Sequence, residues 1–358
     1  MYDPRKPFNE QIRELIKSTH PAEGPIVVRP FGKRFQVERD ASYWSNFYEL
    51  TSSDGIGTKG MLHWKMNTLQ NGVQDAFAMV VDDLIEGGYI PALLQDHIML
   101  QEEDKDRALL ATRTLVDLCM KNKWVSGKDS FPIAITGGET ATLNTLQGFE
   151  MGITATGYVR KGCEVTQNAM EGDAVIGLGS SGVHSNGMSF LLDEFFTKRG
   201  MKLSDMLPWG VSVGEELTKP TNVYLPAVKE LISYFEDQNI KANSAIHGMV
   251  HITGGGLSKL RELLPKGSEL GIEVSNKHLL EPQQIFRYVH EELGVPSEKM
   301  YTRFNNGIGY VIALDSSYVT EVLALLRKYF PADVVGSVTS GCQSISILSH
   351  YDDVEVRY

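Results

Sequence analysis

Thr51-Ser-Ser-Asp-Gly-Ile-Gly-Thr-Lys59 follows the strand-like run Phe47-Tyr-Glu-Leu50 and sets a carboxylate, two glycines, a hydroxyl and an ammonium within six residues. Gly55 and Gly57 let the backbone approach a ligand or take a positive φ. Asp54 offers hard oxygen to a divalent metal. Thr58 adds a hydroxyl, and Lys59 supplies a point charge for phosphate. The acid comes first and the spacing is not that of the Gly-x4-Gly-Lys-Ser/Thr loop. The stretch therefore reads as a metal and phosphate site where a strand ends.

Downstream, Gln74–Gly87 reads as a helix, because Phe77, Val80, Val81, Leu84 and Ile85 recur three and four apart. Its wheel turns Asp75, Asp82 and Glu86 away from that stripe and leaves Asp83 on the flank. Two adjacent acids cannot face the same way, so at most one of Asp82 and Asp83 joins Asp54 at a metal. A solvated helix face is the plainer alternative. Pro91–Leu100 is expected as a strand, Asp104–Lys123 as a helix, and Phe131–Thr136 as a strand ending at Gly137-Gly138-Glu139-Thr140. That ending repeats the opening chemistry, or else makes a tight turn with a surface Glu. Magnesium takes one or two protein carboxylates and completes its shell with phosphate and water. Asp54, Asp82 or Asp83, and Glu139 are thus enough. Gly152–Val159 closes this half, and before Phe47 only a short helix at Gln11–Ser18 and a loop are expected.

Lys161–Gly172 lacks periodicity and reads as the linker between domains 1–165 and 166–358. The second half restarts with the strand Ala174–Leu178, helices Met188–Arg199 and Leu225–Phe235, the strand Ala245–Ile252, and a helix from Leu257. A strand-helix-strand series follows to Val338. Gly177-Leu-Gly-Ser-Ser-Gly182 matches the dinucleotide fingerprint after a strand. A dinucleotide fold, however, would start its helix inside that string. Here Val183-His-Ser-Asn-Gly187 intervenes, so an extended loop presenting Ser181, His184, Ser185 and Asn186 is expected. His247 and His251 lie four apart, on one face of a strand. One core and one loop-facing histidine is the expectation. Ile252-Thr-Gly-Gly-Gly-Leu257 is a strand-to-helix turn whose N–H groups can take an anion, or a purely structural turn.

At 358 residues the chain is long enough for two ordinary domains. A net charge of −11 argues against a nucleic-acid partner, which usually needs a basic face. Cys119, Cys163 and Cys342 fit neither a disulfide framework nor a zinc site. No apolar stretch approaches membrane-spanning length, and Met1–Lys17 is too charged for a signal peptide. A cytoplasmic protein without a membrane partner is expected.

Seven strings together resemble the aminoimidazole ribonucleotide synthetase, or phosphoribosylformylglycinamidine cyclo-ligase, family. They are Ser53–Lys59, Val81-Asp-Asp-Leu84, Gly137-Gly-Glu-Thr-Ala141, Ser180–Gly187, Pro220-Thr-Asn-Val-Tyr224, His247–Gly256 and Arg303-Phe-Asn-Asn-Gly-Ile-Gly309. Each is modest, but their joint order over most of the chain is specific. The resemblance implies an α+β protein of two α/β domains. The N-terminal domain's mixed sheet would pair across a homodimer into a barrel, and the C-terminal domain would be an α/β sandwich. The first domain would bind ATP and magnesium and dimerise; the second would bind a phosphoribosyl substrate. Carried over by motif, Asp54, Asp83 and Glu139 would contact magnesium and phosphate. Gly55, Gly57, Thr58, Lys59, Asp82, Gly137, Gly138 and Thr140 would line the ATP site. Ser181, His184, Ser185, Asn186, Gly187, Thr253, Gly254 and Gly255 would line the substrate side. Asp54, Lys59 and His247 would be catalytic, His247 as a proton shuttle.

The implied reaction is ATP-dependent cyclisation of formylglycinamidine ribonucleotide to aminoimidazole ribonucleotide. The alternatives are another ATP-dependent phosphoryl-transfer member of the superfamily and a non-catalytic ligand-binding homologue. A nucleotide-dependent oxidoreductase rests on the Gly177 string alone. Three departures stand out: Asp82 where the family usually has Asn, Thr142-Leu-Asn where it continues Glu-Met-Pro, and a segment before Phe47 that lacks its substrate-covering stretch.

Overall fold

Short apolar runs broken by glycine turns build the chain into strands and helices throughout, and the computed structural model describes residues 7–127 and 129–358. Two compact units form, one running through Ile85 and taking in Tyr89–Gly162, the other comprising Glu86–Gly88 and Cys163–Tyr358. The fold class is α+β, with several sheets.

The first unit contains α1 (Pro7–Lys17), β1 (Ile26–Phe31), β2 (Arg34–Arg39), α2 (Ala41–Trp44), β3 (Phe47–Gly55), α3 (Lys59–Met66) and α4 (Leu69–Ile85). It continues with β4 (Ile90–Leu100), α5 (Lys105–Lys121), β5 (Trp124–Ser126), β6 (Asp129–Phe131), β7 (Ala134–Thr142) and β8 (Phe149–Arg160). Its main sheet has the order β3-β8-β4-β7, with β8 antiparallel to both neighbours and β4 parallel to β7. Leu94, Ile98, Leu100, Met151, Ile153 and Ala155 line one buried face, and α4 and α5 pack against this sheet. The opposite face carries Gln95, His97, Thr154 and Thr156, all at least partly exposed.

Several local expectations change. The segment before Phe47 holds an antiparallel hairpin, its turn made possible by Gly32 at φ 58°. A helix begins at Lys59, where no helix was expected. The opening motif is not a loop at Asp54: β3 continues to Gly55 because Asp54 pairs with Ile153 and Gly55 with Gly152. Likewise Gly137–Thr140 does not follow a strand but lies within β7, which stays paired to β4 as far as Thr142.

The second unit contains β9 (Ala174–Gly179), α6 (Met188–Leu192) running into a π-helical segment Asp193–Lys198, α7 (Val213–Leu217), α8 (Leu225–Asp237) and β10 (Ile246–His251). A 3-10 segment, Gly256–Leu263, stands where a helix from Leu257 was expected. Then come β11 (Leu270–Val274), α9 (Gln284–Glu291), α10 (Ser297–Arg303), β12 (Ile308–Leu314), α11 (Val319–Leu326), β13 (Ala332–Ser340), β14 (Ile345–Leu348) and β15 (Glu355–Arg357). Its sheet runs β10-β12-β9-β13-β11-β14-β15. Every residue of β9, β10 and β12 is buried, as strands covered on both faces require. Among the described residues no helix is long and apolar enough to cross a membrane.

Candidate functional site

In the first unit a transverse row runs Asp54, Ile153, Asp96, Gly138 across the sheet. Directly paired residues share a face, so Asp54, Asp96 and Gly138 lie on the helix-covered side. Asp54 and Asp96 are two strand spacings apart, about 10 Å. The next row is Gly55, Gly152, His97, Glu139, which puts Glu139 on the open face, at the opposite edge from Asp54. Asp54 and Glu139 are exposed, Asp83 is half-buried and Asp82 is fully buried. Among the described residues, no three His, Cys, Asp or Glu side chains gather at metal-ligand spacing.

Helix α4 corrects the wheel: Asp75 and Asp82 face the interior, both 0 % exposed. Asp75 Oδ2 lies 2.8 Å from Lys59 Nζ and 2.7 Å from His63 Nε2, and His63 Nδ1 is 2.9 Å from Thr68 Oγ1. Burial pushes Asp75 up, but Lys59 and His63 outweigh it and hold the carboxyl at about 2. Burial lowers His63 despite Asp75, so the imidazole is neutral, with Nε2–H donated to the carboxylate. Lys59 is 1 % exposed. In this structure its ammonium joins α3 to α4, while Gly57 and Thr58 ahead of it are exposed.

Two acids escaped the sequence reading. Asp96 is pushed up to about 7 by burial, only partly offset by a hydrogen bond from its own backbone N–H. A Cβ on Gly138 would stand 2.5 Å from Asp96 Oδ1, so glycine leaves the room that this carboxylate fills. Glu150 accepts from the backbone N–H groups of Gly57 and Met151, and burial raises it above the usual carboxylate range. It therefore flanks the glycine turn directly. The polar triplet Gln95-Asp96-His97 inside an otherwise apolar strand run was the available signal for Asp96, since alternation turns its middle residue to the face of Leu94 and Ile98; Glu150 carried none.

In the second unit the predicted substrate residues do converge. Gly179 ends β9, Ile308 opens β12 opposite it, and Ile252 N donates to Gly309 O at 3.0 Å. Ser180–Gly187 and the Thr253-Gly254-Gly255 turn thus leave from one end of the sheet. The expected extended loop is present, with helix only from Met188, which removes the dinucleotide reading of the glycine string. His184 sits at φ 55°, and its Nε2 accepts from Ser181 N at 3.1 Å. Asn186 Nδ2 donates to Ile252 O at 2.9 Å, Ser181 Oγ donates to Pro220 O, and Gly187 turns at φ 62°. Ser185 Oγ is buried with no hydrogen-bond partner among the described residues. Lys259, unforeseen, donates to Thr253 Oγ1 at 3.1 Å and His251 O at 3.0 Å, bringing a cation to the glycine turn.

His247 is placed elsewhere. Both histidines of β10 are buried, so neither faces a loop. His247 stands at a bulge at the start of the strand, about 13 Å of extended chain from His251. Its Nδ1 donates to Asp173 at 2.9 Å, away from the convergent loops.

The AIR synthase related protein, C-terminal domain family matches residues 170–348. The chain is 32 % identical over 310 residues to the phosphoribosylformylglycinamidine cyclo-ligase of Methanobrevibacter smithii, covering 86 % of this chain and 84 % of that protein. It is 35 % identical over 301 residues to the protein of the same name from Thermococcus gammatolerans, with 83 % and 80 % covered. Among solved structures, the hydrogenase maturation protein HypE in complex with ATP aligns with a TM-score of 0.55 at 17 % identity, covering 87 % of this chain and 84 % of that one. That likeness is one of fold.

Proposed function

The chain belongs to the phosphoribosylformylglycinamidine cyclo-ligase family, and from that premise we propose how its residues divide the work of closing the imidazole ring in purine biosynthesis. The enzyme is an ATP-dependent ligase that converts formylglycinamidine ribonucleotide to aminoimidazole ribonucleotide. The observation carrying this is the identity with curated relatives over more than four-fifths of the chain.

An amide oxygen is a very poor leaving group. It first attacks the γ-phosphorus of ATP and ADP departs; the amidine nitrogen then attacks the carbon that bears the phosphorylated oxygen, the C–O bond breaks with release of phosphate, and the nitrogen gives up its proton. Positioning and charge neutralisation are the protein's share. The first unit receives ATP with Gly55, Gly57, Thr58, Gly137, Gly138 and Thr140, while the buried Asp82 lies behind them in α4. The donors Asp54, Asp83 and Glu139 are all hard oxygen, which fits magnesium. Asp54 and Asp83 would hold it, while Glu139, on the open face, would stand apart from that ion. When bound, the ion neutralises phosphate charge. Lys59 acts through its Asp75 anchor, keeping the start of α3 and the turn before it in place. In the second unit, Ser181, His184, Ser185, Asn186, Gly187, Thr253, Gly254 and Gly255 receive the substrate, with Lys259 beside them for anionic groups. His247, held by Asp173, is proposed to brace the start of β10 rather than to contact substrate.

We further propose a cytoplasmic homodimer in which the open sheet face of the first unit meets its copy. Thr51, Ser53, Thr154 and Thr156 hydrogen-bond pairwise there at the surface. Incubation with ATP, magnesium and formylglycinamidine ribonucleotide should yield ADP and aminoimidazole ribonucleotide, and Asp54→Asn should lose most of that turnover. Absence of both products from the unaltered protein overturns the reading.

A further inference from the structure

The string Arg303–Gly309 marks the family resemblance but has no task in the chemistry above. Asn305 within it is 0 % exposed, and every polar group of its side chain visible here works on the loop that follows β9. Nδ2 donates to Gly182 O at 2.9 Å. Oδ1 accepts from Gly307 N at 3.0 Å and from Ser180 Oγ at 2.9 Å. Because a backbone N–H can only donate, the amide orientation is fixed. Ser180 N in turn donates to Gly307 O at 2.9 Å, and Gln283 Nε2 donates to Ser180 O at 2.8 Å.

This clamp holds a loop that does not take its shape unaided. Gly182 has φ 153° and His184, a non-glycine, has φ 55°. Such conformations persist where the surroundings over-determine them. Nε2 of His184 reaches Ser181 N only while the 180–182 backbone stays where Asn305 and Gln283 hold it. We propose that Asn305 is a positioning residue for ring closure: it fixes Ser180–Gly187 in the shape that receives the phosphoribosyl substrate. The inference rests on the reading of that loop as the substrate site.

Asn305→Asp keeps the shape but turns acceptor lone pairs toward the Gly182 carbonyl. A buried carboxyl without a cation has a raised pKa, so acidification restores an O–H donor. The KM for formylglycinamidine ribonucleotide should rise about tenfold at about pH 8 and return toward the parent value at about pH 6, with the KM for ATP moving less than about twofold. A merely structural role would move both KM values, or neither, and would not be rescued by acid. Gln283→Ala, which frees the Ser180 carbonyl, carries the test if the first variant does not fold; about a threefold rise in the same KM is expected. Ser185→Ala separates the two ideas. If it raises the substrate KM while Asn305→Asp and Gln283→Ala leave it unchanged, positioning by Asn305 is overturned. If Ser185→Ala itself has no effect, the substrate reading of the loop fails.

Discussion

Lys59 Nζ and Asp75 Oδ2 meet at 2.8 Å with 1 % and 0 % of their side chains exposed. Breaking a buried pair by removing one partner strands the other charge and costs about 3–5 kcal/mol. Asp75→Asn should therefore destabilise the first unit by that order in urea denaturation, and adding Lys59→Met should recover part of the loss. The acid limb carries the same signature. A folded pKa held at about 2, below the unfolded value of about 4, gives stability that is whole above that value and lost as pH falls toward 2. Asp75→Asn should flatten this limb.

Gly60 lets α3 approach β8, since a Cβ there would lie 1.8 Å from the Phe149 carbonyl oxygen. Backbone cannot step aside as a flexible side chain can. Gly60→Ala should cost about 3 kcal/mol or more, the upper range of overpacking. Gly57 sits in open space at φ 59°, so Gly57→Ala carries only left-handed strain, about 1–2 kcal/mol. Equal losses in paired thermal melts would contradict this division between contact and strain.

The contrast between those glycines shows what the sequence could convey. Local chemistry was legible: the apolar stripe of α4, the strand runs of the second unit and the loop nature of Val183–Gly187 all follow from spacing. Pairing was not. Nothing in Ser53-Asp-Gly tells that Thr154, Ile153 and Gly152 lie opposite and extend β3 through Gly55. A polar face on a helical wheel likewise does not announce that α3 covers it, which is why Asp75 read as turned away from the core. His247 was misplaced for a related reason. Its sequence neighbours reach the glycine turn, but extended backbone carries it to the far end of the strand, where its Nδ1–H donates to Asp173.

His278 and His350 set a second pH dependence. Their Nε2 atoms are 3.2 Å apart, and His278 Nδ1 accepts from Leu280 N, so the shared proton sits on His278 Nε2. Burial, then the neighbouring His350, pulls His278 down to about 4, and burial lowers His350. Below its ordinary pKa of about 6.5 the unfolded chain takes up protons that the folded pair refuses. Stability of the second unit should therefore fall as pH drops from about 6.5 toward 4, by about 2 kcal/mol after allowance for partial solvation. His278→Asn should remove most of that slope in denaturation measured at stepped pH, and a slope unchanged in the variant would assign it elsewhere.

Asp96 gives the opposite sign in the first unit. Burial raises its carboxyl to about 7, so between about pH 4 and 7 the folded state keeps a proton that the unfolded chain has released. The stability contribution is whole below the unfolded pKa and is lost as pH rises through 7. Asp96→Asn keeps the shape beside Gly138 and never ionises. The variant should match the parent at about pH 3.5, below the unfolded pKa, and exceed it by about 1–3 kcal/mol at about pH 8, the spread reflecting how far water reaches the carboxylate. Acidic Asp54 and Glu150 remain in both proteins, so a difference that grows between about pH 4 and 7 and then levels off isolates Asp96. A parent whose stability does not decline between pH 5 and 8 relative to the variant would mean that the carboxylate is already solvated.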